Sequence, residues 1–520
     1  MTSIVIVGAG IGGVPAAYSL KAQLGDSGSV TVISDKSYFH FVPSNPWVGM
    51  GWRSYDEIAF PIRPLLEARD IRFMQSAATR VEAESHRVVL SNGSVVHYDQ
   101  LLLATGPEPA FDEIEGLGPD HHTHSVTHIE DAFETYHAYQ RFVQNPGPIV
   151  IGAVQNSSIL GPVYEFAFLV DADLRRRGIR DLVPITVVTP EPYPGHLGLG
   201  HDDNTYGLLE AALQARDIAV ICNAITDRVE ANQIHITQIE IQGKKMTQRQ
   251  LPFAFSVYWP AFRGISALRE SDPALIDTRG FVIVDEFMRN PRFPDIFAVG
   301  VCASHPRLTE TAVPVGAPTS VYSIQSEVDT VVQNMLAPRR GGELVSNVPR
   351  RARWLSDIGE AGARFLAEPQ IPLRNINWLK QGKWVHLAKV DFERYFINRI
   401  RHRPNQSAPG TASAVAATLC AMQSARSNEA VVRSAASRGP CQTLPVALPR
   451  ESHYELRAMA NALGRQPENF AAELLDAAIR DAKACLNTAA LDNIERARRA
   501  ILLAELPENQ PGIEFEGGSP

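Results

Sequence analysis

Hydrophobic positions open the chain as an unbroken block. Ile4-Val5-Ile6-Val7 has no polar interruption, the pattern of a strand covered on both faces. The block breaks on Gly8-Ala9-Gly10-Ile11-Gly12-Gly13, and Val14-Pro15-Ala16-Ala17-Tyr18-Ser19-Leu20 then reads as the start of a helix. A second apolar strand, Ser29 to Ser34, follows at the distance of a βαβ unit. Strand-like blocks recur at Gln100 to Leu103, ending in Ala104-Thr105-Gly106, at Pro148 to Ala153, and at Asp295 to Val299, ending in Gly300. This alternation predicts an α/β protein with two Rossmann-like dinucleotide-binding domains, the first from 1–110 and 280–340, the second from 111–279.

The glycines give the first domain its chemistry. Gly8 makes the tight turn, Gly10 lets the backbone approach a pyrophosphate, and Gly13 permits close helix packing, so that a helix N-terminus faces phosphate charge. Ser34 and Asp35 stand at the end of the second strand, where an acidic residue meets a ribose hydroxyl. Ala104-Thr105-Gly106 and Gly300 add two more small-residue strand ends. Three such ends far apart in sequence suit a long cofactor, FAD better than NAD. The second domain reads Gly152-Ala153-Val154-Gln155-Asn156-Ser157, without the later glycines, and the bulk of Val154 disfavours NAD(P)H there.

Composition sets limits. The 520 residues exceed what one core organises, and 45% apolar with 20% charged residues describes an ordinary globular chain. A net charge of −8 gives no general attraction to nucleic acid. The opening strand leaves no room for a leader peptide, and no apolar run approaches the ~18 residues of a membrane span, so a cytoplasmic location is expected. The five cysteines, at 222, 302, 420, 441 and 485, show neither metal spacing nor a disulfide framework.

Four blocks carry a resemblance: Phe41-Val42-Pro43-Ser44-Asn45-Pro46-Trp47 and its continuation to Trp52, Gly161-Pro162-Val163-Tyr164-Glu165-Phe166, Glu191-Pro192-Tyr193-Pro194-Gly195-His196-Leu197-Gly198, and Trp384-Val385-His386-Leu387-Ala388-Lys389-Val390. In this order, over about 1–400, the chain resembles the sulfide:quinone oxidoreductases. The resemblance implies FAD, a quinone acceptor and a C-terminal quinone and membrane-side region at 341–403. It also implies cysteines beside the flavin, a thiolate being both nucleophile and electron-rich donor. Here Ile159, Trp354 and Thr127 stand where those cysteines are expected, and no cysteine precedes residue 222. Cys302 is the remaining thiol expected near the cofactor, either active or packed as a small buried residue. On the quinone side the resemblance implies Gly316, leaving room for a flat ring, with Phe392 and Lys389. It also implies a helix from Thr319 to Met335 aimed at the flavin. Lys389 reads equally as a surface lysine, and His196 equally as a proton shuttle or a hydrogen-bonded loop residue.

The basic stretch Arg394, Arg399, Arg401 and Arg403, with Phe396 and Ile397 interleaved, reads as a solvated face or as a helix resting on the inner face of a membrane. Residues 404–449 read as an Ala/Ser/Gly/Pro linker, 450–506 as a helical appendage and 507–520 as a disordered tail. The appendage loosely resembles ribbon-helix-helix modules. Leu444, Val446 and Leu448 lack the polar side chains that read DNA, so a hairpin packing on the body or pairing two protomers is the reading taken. Three functions stay open: electron transfer from a donor, sulfide being doubtful, through FAD to quinone; a non-catalytic or regulatory FAD-binding paralogue; and NAD(P)H:quinone reduction.

Overall fold

The computed structural model describes residues 2–199, 207–240, 246–347, 352–357, 362–368 and 376–401, with six isolated residues beyond position 455. The chain divides into a unit of residues 1–403 and a second of 404–520. The expected linker, tail and most of the helical appendage lie outside the described residues. Within the second unit Ala460 and Phe470 are buried, and the Phe470 N–H donates to the Gln466 carbonyl at 3.0 Å.

In the first unit, Thr2–Val7 is the middle strand of a five-stranded sheet ordered Ile296–Ala298, Gln100–Leu103, Thr2–Val7, Gly28–Ser34, Arg72–Gln75. Every pairing is parallel, with Ile4 opposite Val30 on one side and Gln100 on the other. Parallel strands need crossovers on both faces, which is why Ile4 to Val7 are buried throughout. The helix Gly13–Leu24 makes the first crossover. The sheet order therefore reverses at the C-terminal end of Thr2–Val7, the place where such sheets open a ligand crevice.

A second parallel sheet runs Ile218–Ile221, Ile185–Val188, Ile149–Ala153, Phe255–Trp259. An antiparallel sheet of Ala224–Glu230, Gln233–Ile239 and Met246–Pro252 extends this half. The long helix Val321–Arg340 returns to the first half, starting two residues after the expected Thr319. It starts there because Ser320 caps it: its hydroxyl accepts from the Ser323 N–H, and Ser323 answers at the Ser320 N–H. Strands Ala352–Asp357, Gly362–Glu368 and Ile376–Gly382 form an antiparallel sheet, and the helix Lys383–Arg401 follows.

Candidate active site

The turn after the opening strand is shaped by absent side chains. Gly8 has φ +113°, and a Cβ there would lie 2.1 Å from the Ala104 carbonyl oxygen. At Gly13 a Cβ would lie 1.9 Å from the Gly8 oxygen. Both glycines are thus required by backbone contacts. Gly10 differs: nothing lies within 4 Å of a Cβ built on it, because it borders open space. That space is a groove of about 660 Å³, walled by Gly8 to Gly12, Ser34, Asp35, Ala104 to Gly106, Val299 to Val301 and Thr319 to Tyr322. The helix Gly13–Leu24 starts without a side-chain cap; Val14 and Ala16 donate to the Gly10 and Gly12 carbonyls, so its positive end is presented to an anion through the turn at Gly10 to Gly12 that lines the groove. Strand ends, open backbone at Gly10 and an uncapped helix fit a dinucleotide.

A polar rim occupies one wall. Tyr38 donates to Glu130 Oε1 at 2.7 Å, and His40 Nε2 lies 2.6 Å from Asn45 Oδ1. Asn45 donates in turn to the Thr127 carbonyl at 3.2 Å. Burial pushes the His40 pKa down to about 4, so its imidazole is neutral at ordinary pH.

The far wall is aromatic and ionic. Phe392 stacks on Tyr322 at 4.8 Å between ring centres and meets Phe41 at 6.2 Å. Lys389, one turn before Phe392, pairs with Glu165, and both are buried. Glu165 is the one charged residue in the apolar N-terminal stretch Gly161 to Val170 of the helix Gly161–Arg176, which starts with Pro162 in its first turn. Lys389 also lies 4.6 Å from the Trp47 ring centre, as does Arg53. Arg53 pairs with Glu393 at 2.8 Å, and Glu393 accepts from Ser44. Glu165, Lys389, Glu393, Ser44 and Phe392 all line the groove. The groove thus ends in two acid–base pairs held in protein.

Comparison with known proteins places this architecture. The model of the pyridine nucleotide-disulphide oxidoreductases matches residues 2–316. The sulfide-quinone reductase of Aquifex aeolicus is 33% identical, covering 77% of this chain and 91% of that protein. The X-ray structure of the sulfide:quinone oxidoreductase from that bacterium superposes with a TM-score of 0.72, over 77% of this chain and 92% of that one. The chain belongs to the sulfide:quinone oxidoreductase family. It is an FAD-dependent oxidoreductase, with two Rossmann-type halves. The NDH2 structure from Plasmodium falciparum, at 15% identity and a TM-score of 0.58, shares the fold.

Within this sulfide:quinone oxidoreductase scaffold the groove is free of cysteine among the described residues. Ile159 and Thr127 both line it. Trp354 falls in the strand Ala352–Asp357, its side chain outside the described residues. Cys302 is fully buried and turned to the sheet, its thiol 3.3 Å from the carbonyl oxygens of Leu103 and Val299. Burial raises its pKa, which keeps it a thiol. Of the two readings of Cys302, the packed small residue is the one the structure shows.

The structure places three further features that the sequence singled out. Gly316 owes its missing side chain to a neighbouring loop: a Cβ there would lie 2.7 Å from the Asn156 oxygen and 2.9 Å from Ser158 Cβ, so the Asn156–Ser158 loop takes that clearance. His196 is buried in its own turn, with Nδ1 accepting from the Gly198 N–H at 3.2 Å and Nε2 3.4 Å from the Thr309 hydroxyl. It is a loop histidine, away from the groove wall. Phe396 and Ile397 face the core, with Phe396 5.2 Å from Phe41, so the helix presents Arg394, Tyr395, Asn398 and Arg399 outward.

The strand end of the second half is packed by side chains. A Cβ on Gly152 would lie 2.5 Å from the Tyr258 ring, Val154 is core, and Gln155 bonds both backbone groups of Thr226. The helix begins only at Gly161, away from the strand end. Sequence reasoning gave no role to Glu165, Glu393, Arg53 or His40. The legible signal for Glu165 was a lone charge between Val163-Tyr164 and Phe166-Ala167-Phe168.

Proposed function

We propose that the groove holds FAD and that the protein passes electrons to a quinone, drawing them from a donor that reacts without a protein-bound persulfide. When bound, FAD supplies the capacity to accept an electron pair and release it again. The backbone at Gly8 to Gly13 binds its pyrophosphate, and Asp35 meets a ribose hydroxyl. Phe392 and Tyr322 offer flat aromatic faces to a quinone ring at the groove's end, while Lys389 Nζ donates to a quinone oxygen and Glu165 holds that ammonium in place. The name of the Aquifex aeolicus relative supports quinone as acceptor and makes sulfide the first donor to test.

The observation that carries this reading is the combination of an ionic, aromatic groove end with Ile159 and Thr127 in the groove wall. Isoleucine and threonine neither form a persulfide nor link covalently to flavin. The same observation favours a second reading, a flavoprotein without turnover whose 404–520 unit serves a partner. Contact with a membrane surface belongs to the proposal through the basic outward face of Lys383–Arg401. No helix among the described residues is long and apolar enough to cross a bilayer.

Anaerobic purified protein showing an FAD spectrum decides between these. Reoxidation by a soluble quinone after chemical reduction, with slow or absent bleaching by sulfide and none by NADH, is the expected result. Rapid bleaching by sulfide would overturn the thiol-free route. Failure of quinone to reoxidise the flavin would leave the second reading.

A further inference from the structure

The groove's Gly300 corner hides a buried carboxylate that none of the roles above uses. Glu327 lies on the second turn of the helix Val321–Arg340, whose first residues wall the groove. Its side chain is 5% exposed. One oxygen accepts the Gly300 N–H at 2.6 Å, and the other lies 3.5 Å from His305 Nε2. Gly300, at φ +76°, is itself groove wall. The carboxylate therefore sits one residue behind the cofactor surface.

His305 differs from Glu327 in one decisive respect: its side chain is 24% exposed, so it exchanges protons with water. Its Nε2 also lies 3.3 Å from the Gly300 carbonyl. The ionisable groups facing Glu327 are His305 and the Cys302 thiol, whose pKa burial raises, so the thiol stays neutral. Arg307, on the same loop, is directed to Asn156 at 2.6 Å. Glu327 therefore links the partly exposed His305 ring to the Gly300 backbone at the groove wall.

We infer that Glu327 and His305 form a proton-accepting pair coupled to the charge of the dinucleotide bound in the groove. Reduction of a bound flavin by two electrons and one proton would leave it one charge more negative. That charge raises the proton affinity of the pair across the Gly300 backbone, and a proton enters from water through His305. No bond to the cofactor forms or breaks at the pair. Glu327 is a positioning residue in the same arrangement, since it fixes the Gly300 N–H away from the groove. The inference rests on FAD lying in this groove.

The test is the pH dependence of the flavin midpoint potential in the full-length holoprotein, measured by spectroelectrochemical titration. Glu327→Gln preserves an acceptor for the Gly300 N–H and removes the carboxylate charge that couples His305 to the groove. It is expected to take up about one proton fewer per cofactor reduced, over the pH range in which wild type shows the extra uptake. His305→Gln, on the more exposed member, is expected to lose the same uptake and serves where Glu327→Gln fails to fold. An unchanged slope in a variant that retains FAD overturns the pair. Gly10→Phe tests the placement separately: the added Cβ meets nothing within 4 Å and points the ring toward the groove, so FAD is expected to be lost from a folded chain. Retained FAD in that variant would refute the groove, whatever the slopes.

Discussion

Replacing Glu165 by Gln leaves Lys389 buried against Trp47 with no countercharge. Breaking one member of such a pair costs roughly 3–5 kcal/mol, mostly the penalty of the stranded ion, whereas replacing both by apolar groups often costs much less. Glu165→Gln is therefore expected to be strongly destabilised in denaturant titrations, and Glu165→Gln combined with Lys389→Met to recover part of the loss. Additive losses would show that the two residues do not act as a unit. His40 makes a second residue-scale case. Its pKa is about 4 in the folded protein against 6.5 for the free side chain, so the unfolded chain binds more protons between those values. Stability then rises with pH across that window and is lost as pH falls from about 6.5 toward 4, by up to roughly 3 kcal/mol. His40→Gln should flatten this part of the profile of denaturation midpoint against pH.

At the scale of elements, the strand–turn–helix of residues 2–24 was legible because the backbone itself demands its residues: no other side chain fits where Gly13 faces the Gly8 carbonyl. Gly13→Ala is expected to cost about 1–3 kcal/mol through overpacking and to lower the FAD content of purified protein, read from the ratio of flavin to protein absorbance. Gly316 shows the boundary of that logic. A glycine announces a close neighbour without naming it, and here the neighbour is the Asn156–Ser158 loop rather than a ring. The helix Lys383–Arg401 shows another boundary, since a 3.6-residue period marks one apolar face but not whether core or bilayer covers it. Phe39 and Phe41, more than 350 positions away in sequence, take up Phe396. Pairs such as Glu165 with Lys389 and Glu327 with His305 arise only when separate elements converge, so no local pattern exposes them. Thr127 tests the reading of the groove wall at this same scale. With Thr127 lining the groove and no cysteine before residue 222, FAD is expected to leave the protein entirely on acid precipitation, and flavin remaining in the pellet would contradict a thiol-free wall.

For the whole molecule, the division after residue 403 sets where the chain tolerates cutting. The last helix of the first unit is part of its core: Phe396, Ile397 and Ile400 are buried, and the Tyr18 hydroxyl donates to the Ile400 carbonyl at 3.1 Å. That bond ties residue 400 to the first helix, whose N-terminus faces the groove. The same helix carries Lys389, Phe392 and Glu393 into the groove wall. A chain ending at 403 therefore retains every residue assigned here to FAD or quinone. It is expected to fold, to bind FAD with an unchanged visible spectrum and to be reoxidised by quinone as the full chain is. A chain ending at 382 exposes the core beneath Phe396, Ile397 and Ile400. Each fully buried side chain of that kind contributes about 1.5–3 kcal/mol, so their joint loss rivals the 5–15 kcal/mol that holds an ordinary domain folded. That shorter chain is expected to be insoluble or free of flavin. Full flavin content and quinone reactivity in the 382-residue chain would show that the groove closes without this helix, and Lys389 and Phe392 would then have no place in electron transfer.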